Sequence, residues 1–269
     1  MFDYKGKTVF VSGGTSGINL GIAHGFADSG ANVFVMSRKQ DKVDAAVAEL
    51  AAKGISAAGA SADVRDLDAV KGAFEDCAAR FGPIHVLVSG AAGNFPAFAE
   101  NISSNGFRSV LEIDLLGTHH VMLAALPHLV KPGGSIINIS APQAYVAMSL
   151  QAHVCAAKAG VDMITRTLAL EWGPKGIRVN SVVPGPIEDT EGMARLAPGE
   201  EALKHVRRMV PLGRLGQKQD VANLCLFLGS EMASYVSGTV IPADGGWSLN
   251  MAGRMLEAAA SIAGAGKSG

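Results

Sequence analysis

Short apolar runs of strand length alternate along this chain with longer stretches of helical spacing. That alternation narrows the fold more than any other feature of the sequence. "KTVFVS" (7–12) reads as a first strand, and "GINLGIAHGFADSG" as the helix after it, closed by Gly30. "NVFVM" (32–36) reads as a second strand, and "QDKVDAAVAELAAKG" as a helix stopped by Gly54. "SAAGASADV" holds a weaker third strand, before the helix "LDAVKGAFEDCAARFG" and a fourth strand, "IHVLVSG" (84–90). Residues 104–130 predict a long helical region running into Pro132-Gly133-Gly134, and "SIINIS" (135–140) a fifth strand. A helix from about Leu150 to Trp172 follows, then strands in "GIRVNSVVPG" (176–185) and "GTVIPADGG" (238–246). Near-continuous Val and Ile runs separated by helices call for a sheet covered on both faces. The expected fold class is α/β: a single Rossmann-type, doubly wound domain with a mostly parallel seven-stranded sheet.

Nothing in the bulk numbers opposes this. The chain has 269 residues, 48% hydrophobic and 17% charged, enough for one large core. No Pro/Ser-rich linker or internal repeat divides it, so residues 1–269 are read as one domain, with 252–269 as a flexible or assembly tail. A net charge of −1 argues against a nucleic-acid or membrane-surface partner. Cys77, Cys155 and Cys225 have neither a disulfide pattern nor metal-ligand spacing. No metal is expected, and a cytoplasmic setting is the simplest expectation.

"VSGGTSGINLG" joins the first strand to the first helix. Gly13 and Gly17 permit a tight turn and a close backbone approach to a pyrophosphate, with the helix N-terminus supplying N–H donors. Ser12, Thr15, Ser16 and Ile18 belong to the same turn. Asn19 stands where a further glycine is common. It either adopts positive φ, which Asn tolerates, or sits in ordinary helical geometry with Gly21 providing the close packing. The second strand ends in Ser37 and Arg38 rather than an acid. An acid there binds a ribose 2′-hydroxyl, whereas a planar cation suits a 2′-phosphate. The expectation is NADPH (NADP), against the alternative that Arg38 is a solvated surface charge.

The glycine turn, "DV" at Asp63-Val64, "SGAAG" (89–93), the lysine helix "CAAKAG" and "RVNSVVPGPI" (178–187) together resemble the short-chain dehydrogenase/reductase family. The resemblance spans roughly residues 5–250. "AAGNF" (91–95), "IDLLGT" (113–118), "EWGPKGIRVN" (171–180) and "PGPIEDTEG" (184–192) are similar to the 2,4-dienoyl-CoA reductase branch, especially its peroxisomal kind. The resemblance implies cofactor contacts from the turn, Asp63, Val64, Ala91 and Lys158, and from a nicotinamide-side loop containing Pro184, Gly185, Ile187 and Thr190. It also implies a substrate lid at about 186–212 and a homotetramer.

The family's usual tetrad is Asn, Ser, Tyr and Lys. Here those positions hold Asp114, Ala141 (beside Ser140), Val154 and Lys158. Carbonyl reduction needs a positioned acid for the oxygen's proton, and valine supplies none. Conjugate reduction of an enoyl thioester places charge on the thioester oxygen, which hydrogen-bond donors stabilise, and delivers the proton to carbon. The expected activity is therefore NADPH-dependent reduction of a small-molecule acyl thioester, a 2,4-dienoyl-CoA or related enoyl-CoA. A carbonyl or 3-oxoacyl reductase with a substitute acid, and a non-catalytic NADP(H)-binding subunit, are the alternatives.

Lys158 is expected to anchor the nicotinamide ribose. Asp114 interrupts an apolar helix and is a candidate for holding a water or relaying a proton, or for a structural pair with Lys158. Asp162 falls four residues after Lys158, in position for an i,i+4 pair. Tyr145 or Ser140 is the candidate to hold the thioester oxygen. His153 and Cys155 flank Val154 and are read first as packing. Asn94 and Phe95 are candidate substrate contacts. Lys204, Arg195, Arg207 and Arg208 are candidate partners for CoA phosphates, or else solvated helix charges.

Overall fold

The computed structural model describes residues 2–250; the expected tail at 252–269 lies outside the described residues. Seven strands form one sheet: β1 (Thr8–Ser12), β2 (Asn32–Ser37), β3 (Ala57–Ser61), β4 (Ile84–Ser89), β5 (Ser135–Ile139), β6 (Arg178–Pro184) and β7 (Val240–Ala243). Their order is β3-β2-β1-β4-β5-β6-β7. Every pairing is parallel, so the expected mostly parallel sheet is wholly parallel among the described residues. The helical crossovers that cover both faces leave no antiparallel hairpin to form.

The crossover helices are α1 (Gly17–Asp28), α2 (Gln40–Ala51), α3 (Leu67–Phe81), α4 (Ser104–Val110), α5 (Gly117–Ala125), α6 (Ala152–Trp172), α7 (Glu191–Leu196), α8 (Glu200–Met209) and α9 (Lys218–Gly229). Alternate residues of a strand point to opposite faces. Val9 and Val11 accordingly pack with Phe26, Val43 and Val221 in one core, while Phe10 packs with Phe34, Phe74 and Trp172 in the other. Phe10 stacks on Phe74 at 4.0 Å and on Phe34 at 5.2 Å between ring centroids.

The long helical region expected at 104–130 is interrupted. Between α4 and α5 the backbone takes a π-helical turn at Leu111–Leu116. Such turns insert a residue into the helix and re-aim the side chains around it. Asp114 lies in this turn and is buried. The direction of winding reverses between β1 and β4, so the carboxyl ends of these strands, Ser12 and Ser89, face a crevice where ligands bind in such sheets. Leu150, just before α6, has φ 68, a left-handed conformation that costs a non-glycine residue energy.

Phe10→Ala is expected to lower the unfolding free energy by about 3–5 kcal/mol, because it empties the middle of an aromatic stack. Urea unfolding followed by circular dichroism measures this.

Candidate active site

The crevice is built first by glycine. Gly13 and Gly17 have φ of +73° and +57°. A Cβ on Gly13 would lie 2.9 Å from the Ala91 nitrogen, so only glycine allows the turn to approach the end of β4 this closely. The Gly13 N–H donates to the Met36 carbonyl at 2.8 Å, which fixes the turn to β2.

Asn19 has ordinary helical geometry inside α1, and Gly21 makes the close contact, 2.5 Å from a notional Cβ to the Cβ of Lys218. The Asn19 amide donates to the Gly90 carbonyl at 2.7 Å. A methyl group on Gly90 would collide with the Asn19 side chain. The two residues are complementary in size, an arrangement that reading position 19 alone did not find.

Ser12, Gly13, Thr15 and Ser16 line the crevice, with Ser37 and Arg38 at the end of β2, Asp63 and Val64 after β3, and Ala91 after β4. Lys39, Lys42 and Glu191 also line it, and the sequence reading did not name them. Lys42 lies in the first turn of α2, just after the strand end that carries Arg38. Asp63 is held below the usual carboxylate range chiefly by its hydrogen bonds from Arg65, at 2.7 Å and 3.0 Å.

Ile18 is half-buried and packs on the core beside β1. The segment after β6 is fixed by its own contacts. Pro184 ends the strand, and a Cβ on Gly185 would lie 2.6 Å from the Asp244 Cα. Ile187 is buried and bridges to Gly216. The Thr190 hydroxyl donates to the Ile187 carbonyl and accepts from the Met193 N–H, capping α7.

The crevice continues to a buried ion pair. Lys158 Nζ lies 3.6 Å from Asp114 Oδ2 and donates to the Ile139 carbonyl at 3.0 Å. Asp114 Oδ1 accepts from the Gly93 N–H at 2.7 Å. Burial pushes the Asp114 carboxyl above its ordinary range, opposed by Lys158 and the Gly93 N–H.

Lys158 therefore pairs with Asp114 across two helices. The expected i,i+4 partner, Asp162, instead accepts from the Ser181 hydroxyl of β6 at 2.9 Å. Its pKa is raised by burial, with the nearby Ser140 and Ser181 hydroxyls acting in the opposite direction. Ser140 Oγ is close enough to influence Asp162 yet closes no hydrogen bond by distance and angle; Ser181 makes the contact.

Val154 is buried with Val110 and Ala157, so an apolar contact between α4 and α6 fills the expected phenol position. Tyr145 does not take over that place by bonding the pair. It is 50% exposed, and its hydroxyl lies 3.4 Å from Ser248 Oγ. Asn94 and Phe95 lie on the exposed stretch after β4, where Phe95 rests on His153. In α8, Lys204 pairs with Glu200 and Glu201, so this cation is already engaged.

A parallel sheet with a glycine turn at its switch point, beside a buried helix lysine, defines a dinucleotide-dependent oxidoreductase. A family model described as enoyl-(acyl carrier protein) reductase matches residues 13–248, and the chain belongs to that family, within the short-chain dehydrogenase/reductases. It is 44% identical over 252 residues to a peroxisomal 2,4-dienoyl-CoA reductase [(3E)-enoyl-CoA-producing] of Arabidopsis thaliana, covering 90% of this chain and 84% of that one. The enzyme of that name from Rattus norvegicus is 42% identical over 262 residues, covering 96% and 90%. Among solved structures, a gluconate 5-dehydrogenase from Burkholderia cenocepacia in complex with NADP and tartrate superposes with a TM-score of 0.86 at 27% identity, covering 92% and 97%.

The raised pKa of Asp162 has a signed consequence. Its folded pKa lies above its unfolded value, so ionisation opposes folding as pH rises through the folded pKa. Asp162→Asn keeps an acceptor for Ser181 and removes that charge. The stability of the variant relative to wild type is expected to be smallest in acid and to grow as pH rises out of the carboxylate range. Thermal unfolding from acid to neutral pH measures it, and a difference that stays flat or shrinks contradicts it.

Proposed function

We propose that this chain is an NADPH-dependent reductase of 2,4-dienoyl-CoA thioesters. The observation that carries the reading is the buried Lys158–Asp114 pair beside a phenol position filled by Val154. The names of the Arabidopsis and rat relatives support the same substrate class.

The crevice fits a phosphorylated dinucleotide. Only glycine fits at position 13, where the backbone must come close, and Ser12 Oγ and Asn19 Oδ1 are buried crevice atoms with no partner among the described residues. Arg38, Lys39 and Lys42 provide positive charge at the end of β2 for a 2′-phosphate. The NADP bound by the Burkholderia relative supports this choice. When bound, the nicotinamide supplies a hydride.

The residues account for the rest of the chemistry. Hydride addition at C5 of a 2,4-diene delocalises charge through the chain to the thioester oxygen, and a proton added at C2 completes a 3-enoyl product. No proton need reach the oxygen, so a phenol at position 154 is dispensable. Lys158 holds ribose hydroxyls and, through its charge, favours the developing anion. Asp114, held by Gly93 and Lys158, sits with a raised pKa where it can orient a water or pass a proton toward C2. The segment at about 186–212, which contains α7 and α8, closes over the acyl chain in this reading; Glu191 at the start of α7 already lines the crevice.

NADPH oxidation followed across 2,4-dienoyl-CoA, 2-enoyl-CoA and 3-oxoacyl-CoA thioesters tests the reading. Turnover is expected with the dienoyl substrate, and Asp114→Asn is expected to lower kcat by about 100-fold or more. Activity on 3-oxoacyl thioesters alone would defeat it.

A homotetramer is also part of the proposal. Leu123 of α5 and Met163 and Leu170 of α6 are exposed apolar side chains on neighbouring helices, suited to helix packing between copies. Light scattering is expected to give four chain masses, and a single chain mass would refute assembly. The cytoplasmic setting remains our proposal from the three cysteines, all free thiols.

A further inference from the structure

His153 is fully buried, and among the described residues neither Nδ1 nor Nε2 has a hydrogen-bond partner. A neutral imidazole carries one donor and one acceptor. Burying such groups unpaired is costly, and folded proteins seldom leave them so. An ordinary packing residue at this position would have no need of nitrogen, so the ring is set up for a partner from outside the chain.

The surroundings identify the partner's chemistry. His153 precedes Val154 in the first turn of α6. Phe95 covers the imidazole at 4.4 Å between ring centroids, tilted by 49°, and Phe107 of α4 lies behind it at 6.4 Å. Phe95 itself is 37% exposed, on a stretch without regular secondary structure.

That stretch is tied down at both ends. The Gly93 N–H donates to Asp114, and the Ala97 N–H donates to the carbonyl of the strained Leu150 at 3.0 Å. Phe95 is thus held between the proton-handling carboxylate and the start of α6, directly over the ring.

We infer that His153 is a catalytic residue that donates an N–H hydrogen bond to the thioester carbonyl oxygen. Phe95 turns aside as the acyl chain enters and becomes a wall of its pocket. This rests on the dienoyl-thioester reading. The oxygen gains negative charge as hydride adds, so a donor at the helix position next to Val154 supplies the stabilisation that the missing phenol would otherwise give. The ring keeps its proton throughout, so Asp114 and water still manage the proton delivered to carbon.

Steady-state kinetics with 2,4-hexadienoyl-CoA and NADPH tests the role. His153→Phe fills the space without a donor, and His153→Asn keeps an N–H. His153→Phe is expected to lower kcat by about 100- to 1000-fold, with KM changing far less. NADPH affinity from fluorescence titration and the melting temperature should match wild type in both variants. His153→Asn should recover kcat to within about tenfold of wild type.

The inference is overturned if His153→Phe keeps kcat within about threefold of wild type, or if His153→Asn is as slow as His153→Phe. It is also overturned if the loss in kcat is matched by lost NADPH binding or a lowered melting temperature. A wild-type protein with no turnover of the dienoyl thioester overturns the substrate reading and this role together. Active wild type with an equally active His153→Phe variant overturns only the role of His153.

Discussion

A lysine and an aspartate are buried together at the heart of this molecule, and the architecture around them follows from making that tolerable. Removing two charges from water is costly, and their attraction compensates only when their remaining hydrogen-bonding capacity is met. The Ile139 carbonyl at the end of β5 accepts a hydrogen bond from Lys158, and the Gly93 N–H after β4 donates to Asp114. The pair therefore ties α6, the π-helical turn, β5 and the post-β4 segment into one unit. Loss of a single partner from such a buried pair typically costs about 3–5 kcal/mol, so each element is held in place by the others.

The same arrangement governs the chemistry. Asp114 balances burial, which raises its pKa, against Lys158 and a backbone donor, which lower it. A carboxyl whose pKa is raised and that is held by two donors is suited to proton traffic. Position 154 contributes only an apolar contact, so the site is equipped to stabilise charge and place a proton on carbon rather than to protonate an oxygen. The post-β4 segment connects these tasks. Its first residues hold Asp114, and its phenylalanine sits over a buried imidazole.

Much of this was legible in the order of residues. The alternation of Val/Ile runs with amphipathic stretches sets a covered parallel sheet, because no other layer arrangement buries both faces of so many strands. The glycine turn was readable because Gly13 and Gly17 need backbone angles that other residues resist. Asp114 stood out as an acid inside an apolar helix. The partner of Lys158 was open between two acids, Asp114 and Asp162. Helical spacing allowed Asp162, but the Ser181 hydroxyl of β6 engages that acid, and Asp114 meets the lysine. Tyr145 looked like a substitute phenol by its loop, yet its hydroxyl meets Ser248, more than a hundred residues away.

By itself, the sequence determined what rests on local periodicity and backbone permission: the strands, the helices, the dinucleotide turn and the persistence of Lys158 on its helix. It also determined the absence of a phenol at position 154. The tertiary structure decided which buried groups meet. It paired Lys158 with Asp114, fitted the Asn19 side chain against the bare backbone of Gly90, and left His153 against Phe95 with no hydrogen-bond partner among the described residues. These contacts join elements far apart in the chain. Their strength depends on burial and mutual geometry, which one-dimensional spacing does not encode.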